Sequence, residues 1–263
     1  MADSFLSKRS MWLLRVRDLK HGLKKQKIDG SYELPLDLFN RIDYCLTDVH
    51  EDFEFVKAYT RSNMEEVWYN YYSIDETIGE LKDQPAEGNN ILVGNSCTLM
   101  CNHLDGFKAA KNFYNENAEV VVPLSYGEPW LRNFLLKRGK HMFGNRFHPL
   151  VDFIPRDEYN KIVKSCSVAI MPHYRPQAFG NILTALWLGA RVYMSEKNSL
   201  YTFFKRIDVN VFSIETDLKE ARRPIFFPLS EEEREWNRRV IASIYDKRVM
   251  TDRNRMMVEM MEQ

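Results

Sequence analysis

What this sequence has little of narrows it first. Cysteine occurs four times in 263 residues, at 45, 97, 101 and 166, too few and too scattered for a disulfide framework. Cys97 and Cys101 have the spacing of half a metal site, but no second pair follows to complete four ligands. A reducing, cytoplasmic setting is expected. Long apolar runs are missing as well. Nothing reaches the roughly 20 residues that a membrane-spanning helix needs. Phe5-Leu6 and Met11 to Leu14 are too short and interrupted for a secretory signal. Membrane contact is therefore expected to be peripheral, at the inner face of the cell membrane.

Excess charge is absent too: 37 Lys and Arg offset 37 Asp and Glu, so bulk charge gives no reason to expect nucleic acid. No HExxH, GxSxG or Walker pattern occurs, which argues against hydrolase and ATPase chemistry. No GxGxxG follows a strand, which ranks a dinucleotide-dependent enzyme last. There is no internal repeat and no low-complexity tract. Hydrophobic residues at 44% nonetheless supply a core for one large or two small domains.

What is present is organised around residues 148–198. A helix from Asp157 to Ser165 leads into a buried strand, Ser167 to Met171. The loop His173 to Gln177 then opens onto a second helix, Phe179 to Leu188, which Gly189 ends before a strand from Val192 to Ser195. Strand, polar loop and helix N-terminus in series make an anion site, because free N–H groups and the positive end of the helix dipole point above the sheet edge.

Taken in order, residues 1–27 carry eight Lys or Arg against Asp3 and Asp18, with Trp12, Leu13, Val16 and Leu19 at helical spacing. This segment is either a basic amphipathic helix on an anionic membrane surface or a helix packed on its own domain. Residues 28–37 read as a loop and Tyr44 to Thr47 as a short strand. Asp48 is placed as the cap of a helix from Glu51 to Tyr59, and Glu66 to Tyr72 is β-prone. Ser73 to Asn90 reads as a linker, which divides an N-terminal unit, 1–88, from the main domain, 89–263. Beyond it, strands are expected at 91–93, 119–123 and 141–143 and, as an edge, 211–213. Helices are expected at 101–114, 129–137, 200–206 and from Ser230 to Tyr245. Such alternation argues a doubly wound parallel sheet that binds ligands at the carboxyl ends of its strands.

The pieces ILVGNS (91–96), EVVVPLSYG (119–127), DFIPRDEY (152–159) and AFGNILTALWLGARVYMSEKN (178–198) resemble the bacterial 4-alpha-N-acetylfucosaminyltransferase family. The resemblance covers Ile91 to Ser213 and, more weakly, extends back to Arg41. It implies a GT-B glycosyltransferase fold, a dTDP-N-acetylfucosamine donor, and an acceptor sugar on undecaprenyl diphosphate, as in enterobacterial common antigen synthesis. It also implies that about a hundred residues of the N-terminal domain would be missing, judged against typical domain size.

Within that frame, Arg175 and Gln177 are expected to stabilise the leaving diphosphate, aided by the helix dipole, with no metal or cofactor required. Gly94, Asn95 and Ser96 either meet the donor through their N–H groups or simply form a turn that needs glycine. Tyr126 either stacks on the thymine ring or lids the sheet. Phe179 and Gly180 sit at the helix start as donor contacts, and Asn181 either donates to the same diphosphate or merely serves the helix start. Glu196 either grips donor hydroxyls or is a surface carboxylate. His173 either assists departure of the diphosphate or is structural. The function expected is transfer of a deoxy-amino-sugar from a dTDP donor to a lipid-linked saccharide. Its alternative is a non-catalytic nucleotide-sugar-binding half that needs a partner, and a ligand-free scaffold stands behind both.

Overall fold

The computed structural model describes residues 5–20, 36–113, 117–220 and 227–262. The chain opens with α1 (Lys8–Lys20), α2 (Leu36–Phe39), β1 (Tyr44–Thr47), α3 (His50–Thr60), β2 (Glu65–Trp68) and α4 (Ile74–Ile78). Strand and helix then alternate through β3 (Asn90–Val93), α5 (His103–Ala110), β4 (Val120–Pro123), α6 (Pro129–Phe143), β5 (Phe147–Leu150) and α7 (Arg156–Lys164). The alternation continues through β6 (Cys166–Met171), α8 (Phe179–Leu188), β7 (Arg191–Met194), α9 (Ser199–Arg206) and β8 (Phe212–Ser213). Helices α10 (Asp217–Glu220), α11 (Glu231–Tyr245) and α12 (Lys247–Met261) complete it.

Six strands form one parallel sheet in the order β5-β4-β3-β6-β7-β8. The chain winds outward from β3 in one direction, returns, and winds outward from β6 in the other. The order therefore reverses between β3 and β6, and the crevice above that reversal is where doubly wound sheets hold ligands. Because helices cover both faces, the central strands read as unbroken apolar runs, VVVP in β4 and CSVAIM in β6, buried at every position. Period two sorts them. Ile91, Val93, Val120, Val122, Val168 and Ile170 face one core layer with Leu13, Phe107 and Leu135. Leu92, Val121, Ala169 and Met171 face the other with Val163, Leu183 and Tyr245. Each fully buried aliphatic side chain of this kind contributes about 1.5–3 kcal/mol relative to exposure.

Several expectations need correction. Ser73 to Asn90 is no open linker: Ser73 and Glu76 close a capping box on α4, whose Ile74 and Ile78 are buried in the core. The segment is stitched to α8 by Trp187 Nε1 donating to Lys82 O (2.7 Å) and Ala86 N to Leu188 O. His141 to Phe143 is helical, not a strand. Gly139 sits inside α6 without ending it, the cap is Gly144, and Lys140 and His141 suit the negative end of the helix dipole. The strand is instead Phe147–Leu150, an edge position that tolerates Pro149. Asp48 does not cap α3, whose N-cap is Val49 with no side-chain hydrogen bond. Burial, against its own backbone hydrogen bond and with Asp52 adding to it, pushes the Asp48 carboxyl up to about 6.

Helix α1 lies on the large sheet's own layer. Leu6 and Leu13 are buried there, Ser7 N donates to Asn102 Oδ1 (2.8 Å), and Arg9 pairs with Asp105 on α5. Trp12, by contrast, is 58% exposed. The rest of the basic segment, 21–27, and most of the loop read at 28–37 lie outside the described residues. Strands β1 and β2 pair as a separate two-stranded parallel sheet. It is joined to the main body where Glu51 on α3 accepts from Arg206 Nε on α9 (2.7 Å). Among the described residues no helix is long and apolar enough to cross a membrane.

Candidate functional site

Two loops rise over the crevice between β3 and β6. The first, 94–98, follows β3. The second, 172–177, follows β6 and runs into α8. The N-cap of α8 is Ala178, held at φ 63° with no side-chain hydrogen bond to the helix. The first N–H groups of a helix have no partner within it, and alanine supplies none, so those of Phe179, Gly180 and Asn181 stay available at the positive end of the dipole. A left-handed alanine costs about 1 kcal/mol, and here it orients those donors.

Two buried asparagines hold the second loop. Asn198, at the start of α9, donates through Nδ2 to His173 O (3.3 Å) and Arg175 O (3.0 Å), while its Oδ1 caps Leu200 N (3.0 Å). Asn102 donates to Pro172 O (3.1 Å) and Phe5 O (3.2 Å), which ties the N-terminal segment to the same loop. Neither residue stood out as functional in the sequence. For Asn198 the available signal was an N-cap residue directly after a strand.

Between the loops lies the buried sulfur of Cys101. Gln177 Nε2 approaches it at 3.2 Å, Asn95 Oδ1 and Ser96 Oγ at 3.3 Å, and Thr98 Oγ1 at 3.5 Å. Arg175 Nε donates in turn to Gln177 Oε1 at 2.7 Å. Burial opposes the thiolate. His173 and His103 beside it and the Ser96 hydroxyl outweigh it and hold the Cys101 thiol well below its ordinary value. Burial lowers His103 toward its neutral form. At Cys97 and Cys166 burial outweighs the opposing Arg132 and Ser165 and pushes each thiol up to about 12.

The residues singled out from the sequence are brought together unevenly. Asn95, Ser96, Arg175 and Gln177 meet within one hydrogen-bonded group around Cys101. Gly94 has φ 69° and its N–H donates to Ile170 O (3.0 Å), so that donor belongs to the sheet. Ser96 is buried and turned toward the sulfur. Tyr126 is 60% exposed at the rim, where its hydroxyl meets Asn95 Nδ2 (3.4 Å). Phe179 packs between Phe204 and Tyr245, with ring centroids 6.1 and 5.4 Å away. Asn181 Nδ2 reaches Tyr159 Oη at 3.4 Å, and Gly180 lies beside Thr77. Glu196 stands apart beyond β7, exposed, accepting from Ser213 Oγ and from Thr216 Oγ1 (2.8 Å). A cavity of about 360 Å³ sits on the other side of the second loop, walled by Arg9, Lys108, Tyr174 and Glu215, away from the α8 N-terminus. Among the described residues no group of three or more His, Cys, Asp or Glu is arranged to hold a metal ion.

A sheet that reverses at β3/β6, with an uncapped helix and an arginine above the reversal, can be set beside known proteins. The family model described as 4-alpha-L-fucosyltransferase, glycosyl transferase group 56, matches residues 8–225. The chain belongs to this family. The match begins well before Ile91, so α1 and the β1–β2 unit lie inside it.

Solved structures agree on the fold. An Anabaena protein, HepE, in complex with UDP and glucose superposes with TM-score 0.59 at 11% identity, over 87% of this chain and 65% of that one. An E. coli trehalose-6-phosphate protein bound with UDP-2-fluoro glucose gives 0.64 at 10%, over 87% and 62%. A Rickettsia africae glycosyltransferase gives 0.65 at 11%, over 94% and 79%. The chain thus has the GT-B fold that the sequence led us to expect, and it spans less than two thirds of the first two of these proteins.

Proposed function

We propose that this chain carries the nucleotide-sugar site of a glycosyltransferase. It moves a deoxy-amino-sugar, of the N-acetylfucosamine kind, from a dTDP donor to a lipid-linked saccharide at the inner face of the membrane. The observation that carries the reading is the α8 N-terminus: its N-cap, Ala178, makes no side-chain hydrogen bond to the first turn, and in the loop that leads into it Arg175 is bonded to Gln177. Family membership and the two nucleotide-bound neighbours support a nucleotide-sugar there.

The chemistry follows from charge. As the bond between the sugar's anomeric carbon and the diphosphate breaks, negative charge grows on the leaving oxygen. A helix N-terminus and a guanidinium already in place stabilise it without reorganising. Asn95, Tyr126 and the first turn of α8 line the donor side. On this reading Gln177 positions Arg175, and Phe179 fixes the start of the helix. The sugar, the dTDP nucleotide and the lipid-linked acceptor rest on the resemblance of 91–96, 119–127 and 178–198. Titration with dTDP, UDP, GDP and NAD, followed by melting temperature, tests it.

A second reading is a nucleotide-sugar-binding half that turns over only with a further domain or partner. The share of the neighbours' length that this chain spans, 65% and 62%, favours it. Binding of dTDP without transfer to any saccharide acceptor selects this reading.

A further inference from the structure

The residue that the sequence offered only as half of an incomplete metal pair is Cys101. It is fully buried, it belongs to no disulfide, and it lies between the two loops rather than within the core of either. Side chains from both loops converge on its sulfur: Asn95, Ser96 and Thr98 from the first, Gln177 from the second. His173 is fully buried beside it, and neither of its ring nitrogens has a hydrogen-bond partner. His103 lies on the other side beneath Gly94, 3.4 Å from where a β-carbon would stand there, with Nε2 likewise unpartnered. A buried imidazole without partners is costly. Two of them around one thiol are the surroundings in which cysteines become anionic acceptors.

We propose that Cys101, seated against His173, is a positioning residue of the nucleotide site. Its sulfur anchors the Gln177 amide, and Gln177 thereby sets the Arg175 guanidinium at the N-terminus of α8. The inference rests on the nucleotide-site reading above and adds the device that joins its two loops. Gln177 has one donor end and one acceptor end. With the sulfur taking the donor end, the carbonyl end is turned to Arg175. An anionic sulfur accepts from Gln177 more strongly than a neutral thiol does, so the Gln177 contact strengthens as Cys101 loses its proton, while the thiol's own donation to Asn95 Oδ1 is given up. The titratable groups facing it are His173 from the second loop, His103 from α5 and Cys97 from the first loop.

Two measurements on the full chain test this. In the first, maleimide labelling of the wild type is mapped peptide by peptide, with and without dTDP. Because Cys101 has no exposed surface, alkylation requires the loops to part. A nucleotide that bridges them slows labelling at Cys101 by the factor 1 + [L]/Kd. In the second, dTDP affinity is followed against pH for the wild type, Cys101→Ser and Cys101→Ala. The wild type is expected to bind more weakly as the pH falls and the sulfur takes up its proton. Cys101→Ser is expected to bind roughly tenfold more weakly, the loss of one charge-assisted hydrogen bond, without that pH-dependent component. Cys101→Ala is expected to be weaker still.

If dTDP raises the wild-type melting temperature while Cys101 labels at an unchanged rate and Cys101→Ser keeps the wild-type pH profile, the inference is overturned and the nucleotide site stands. If no nucleotide binds the wild type, the nucleotide-site reading falls and takes the inference with it.

Discussion

Asn198 and Arg175 are joined by a partly buried hydrogen bond, Nδ2 to the arginine carbonyl at 3.0 Å. The side chain that begins α9 therefore fixes the backbone of the loop that begins α8. Asn198→Asp keeps the cap on Leu200 but replaces the donor with a second acceptor facing two carbonyls. Asn198→Ala loses both functions. We expect Asn198→Ala to lower stability by about 2–3 kcal/mol, roughly one for the cap and the rest for buried carbonyls left unpaired. Urea denaturation reads this. Asn198→Asp should lose dTDP binding at least as fully as Asn198→Ala. Equal binding by all three proteins would remove the loop from the site.

Arg175 itself distinguishes charge from geometry. Lysine restores the cation but not the planar fork that both donates to Gln177 Oε1 and grips a diphosphate. Arg175→Ala is expected to weaken dTDP binding by about 2 kcal/mol, within the range for a hydrogen bond to a charged group. Arg175→Lys should recover less than half of that, measured by calorimetry. Melting temperature without nucleotide should hardly move in either, since this side chain is only half-buried.

Asp48 sets a pH dependence. Its folded value, about 6, lies above the ordinary 3.8 because burial disfavours the carboxylate. The folded state binds this proton more tightly than the unfolded state does. The charged form therefore costs stability at neutral pH, and the cost fades as the pH falls from about 6 toward 4. Asp48→Asn is expected to raise stability at pH 7 on the order of 1–2 kcal/mol, allowing for solvent screening of a partly exposed group. Melting curves from pH 4 to 7 should show the gain vanish at the acid end. A gain that is constant with pH would assign it to something other than this proton.

Gly127 tests how Tyr126 is carried. It pairs with Cys97 in an isolated parallel bridge, at φ 124°, and a β-carbon there would lie 2.1 Å from the Cys97 carbonyl oxygen. Gly127→Ala combines backbone strain of about 1–3 kcal/mol with that clash. It should destabilise the fold and move the Tyr126 ring. Affinity for dTDP, read by calorimetry, should then fall even where the variant still melts cooperatively.

The alternation of strands and helices from 90 to 213 was legible because β4 and β6 are buried on both faces and so appear as unbroken apolar runs. Helix α8 was placed to the residue, because Gly189 ends it and Phe179 begins its apolar stretch. Misreadings fell where local chemistry was overruled or overlooked. Pro85 and Gly88 gave residues 73–90 the look of a linker and hid the Ser73–Glu76 capping box. Met142-Phe143 has strand composition, yet it continues a helix that nothing breaks before Gly144. In the site, Arg175 and Gln177 were visible because loop and helix adjoin in sequence. The roles of Cys101, Asn102 and Asn198 were not. They depend on contacts between loops 70 or more residues apart in one case and on a buried side chain turned back to the preceding loop in the other. No spacing rule reports such contacts.

The nucleotide site is tested most directly by a thermal-shift titration of the full chain with dTDP, UDP, GDP and NAD. A ligand bound only by the folded protein stabilises it by RT ln(1 + [L]/Kd), about 2.7 kcal/mol at a hundredfold excess over Kd. We predict a saturable rise with dTDP that exceeds the rise with the other three and is lost in Arg175→Ala. A flat response to all four nucleotides at millimolar concentration would contradict the account.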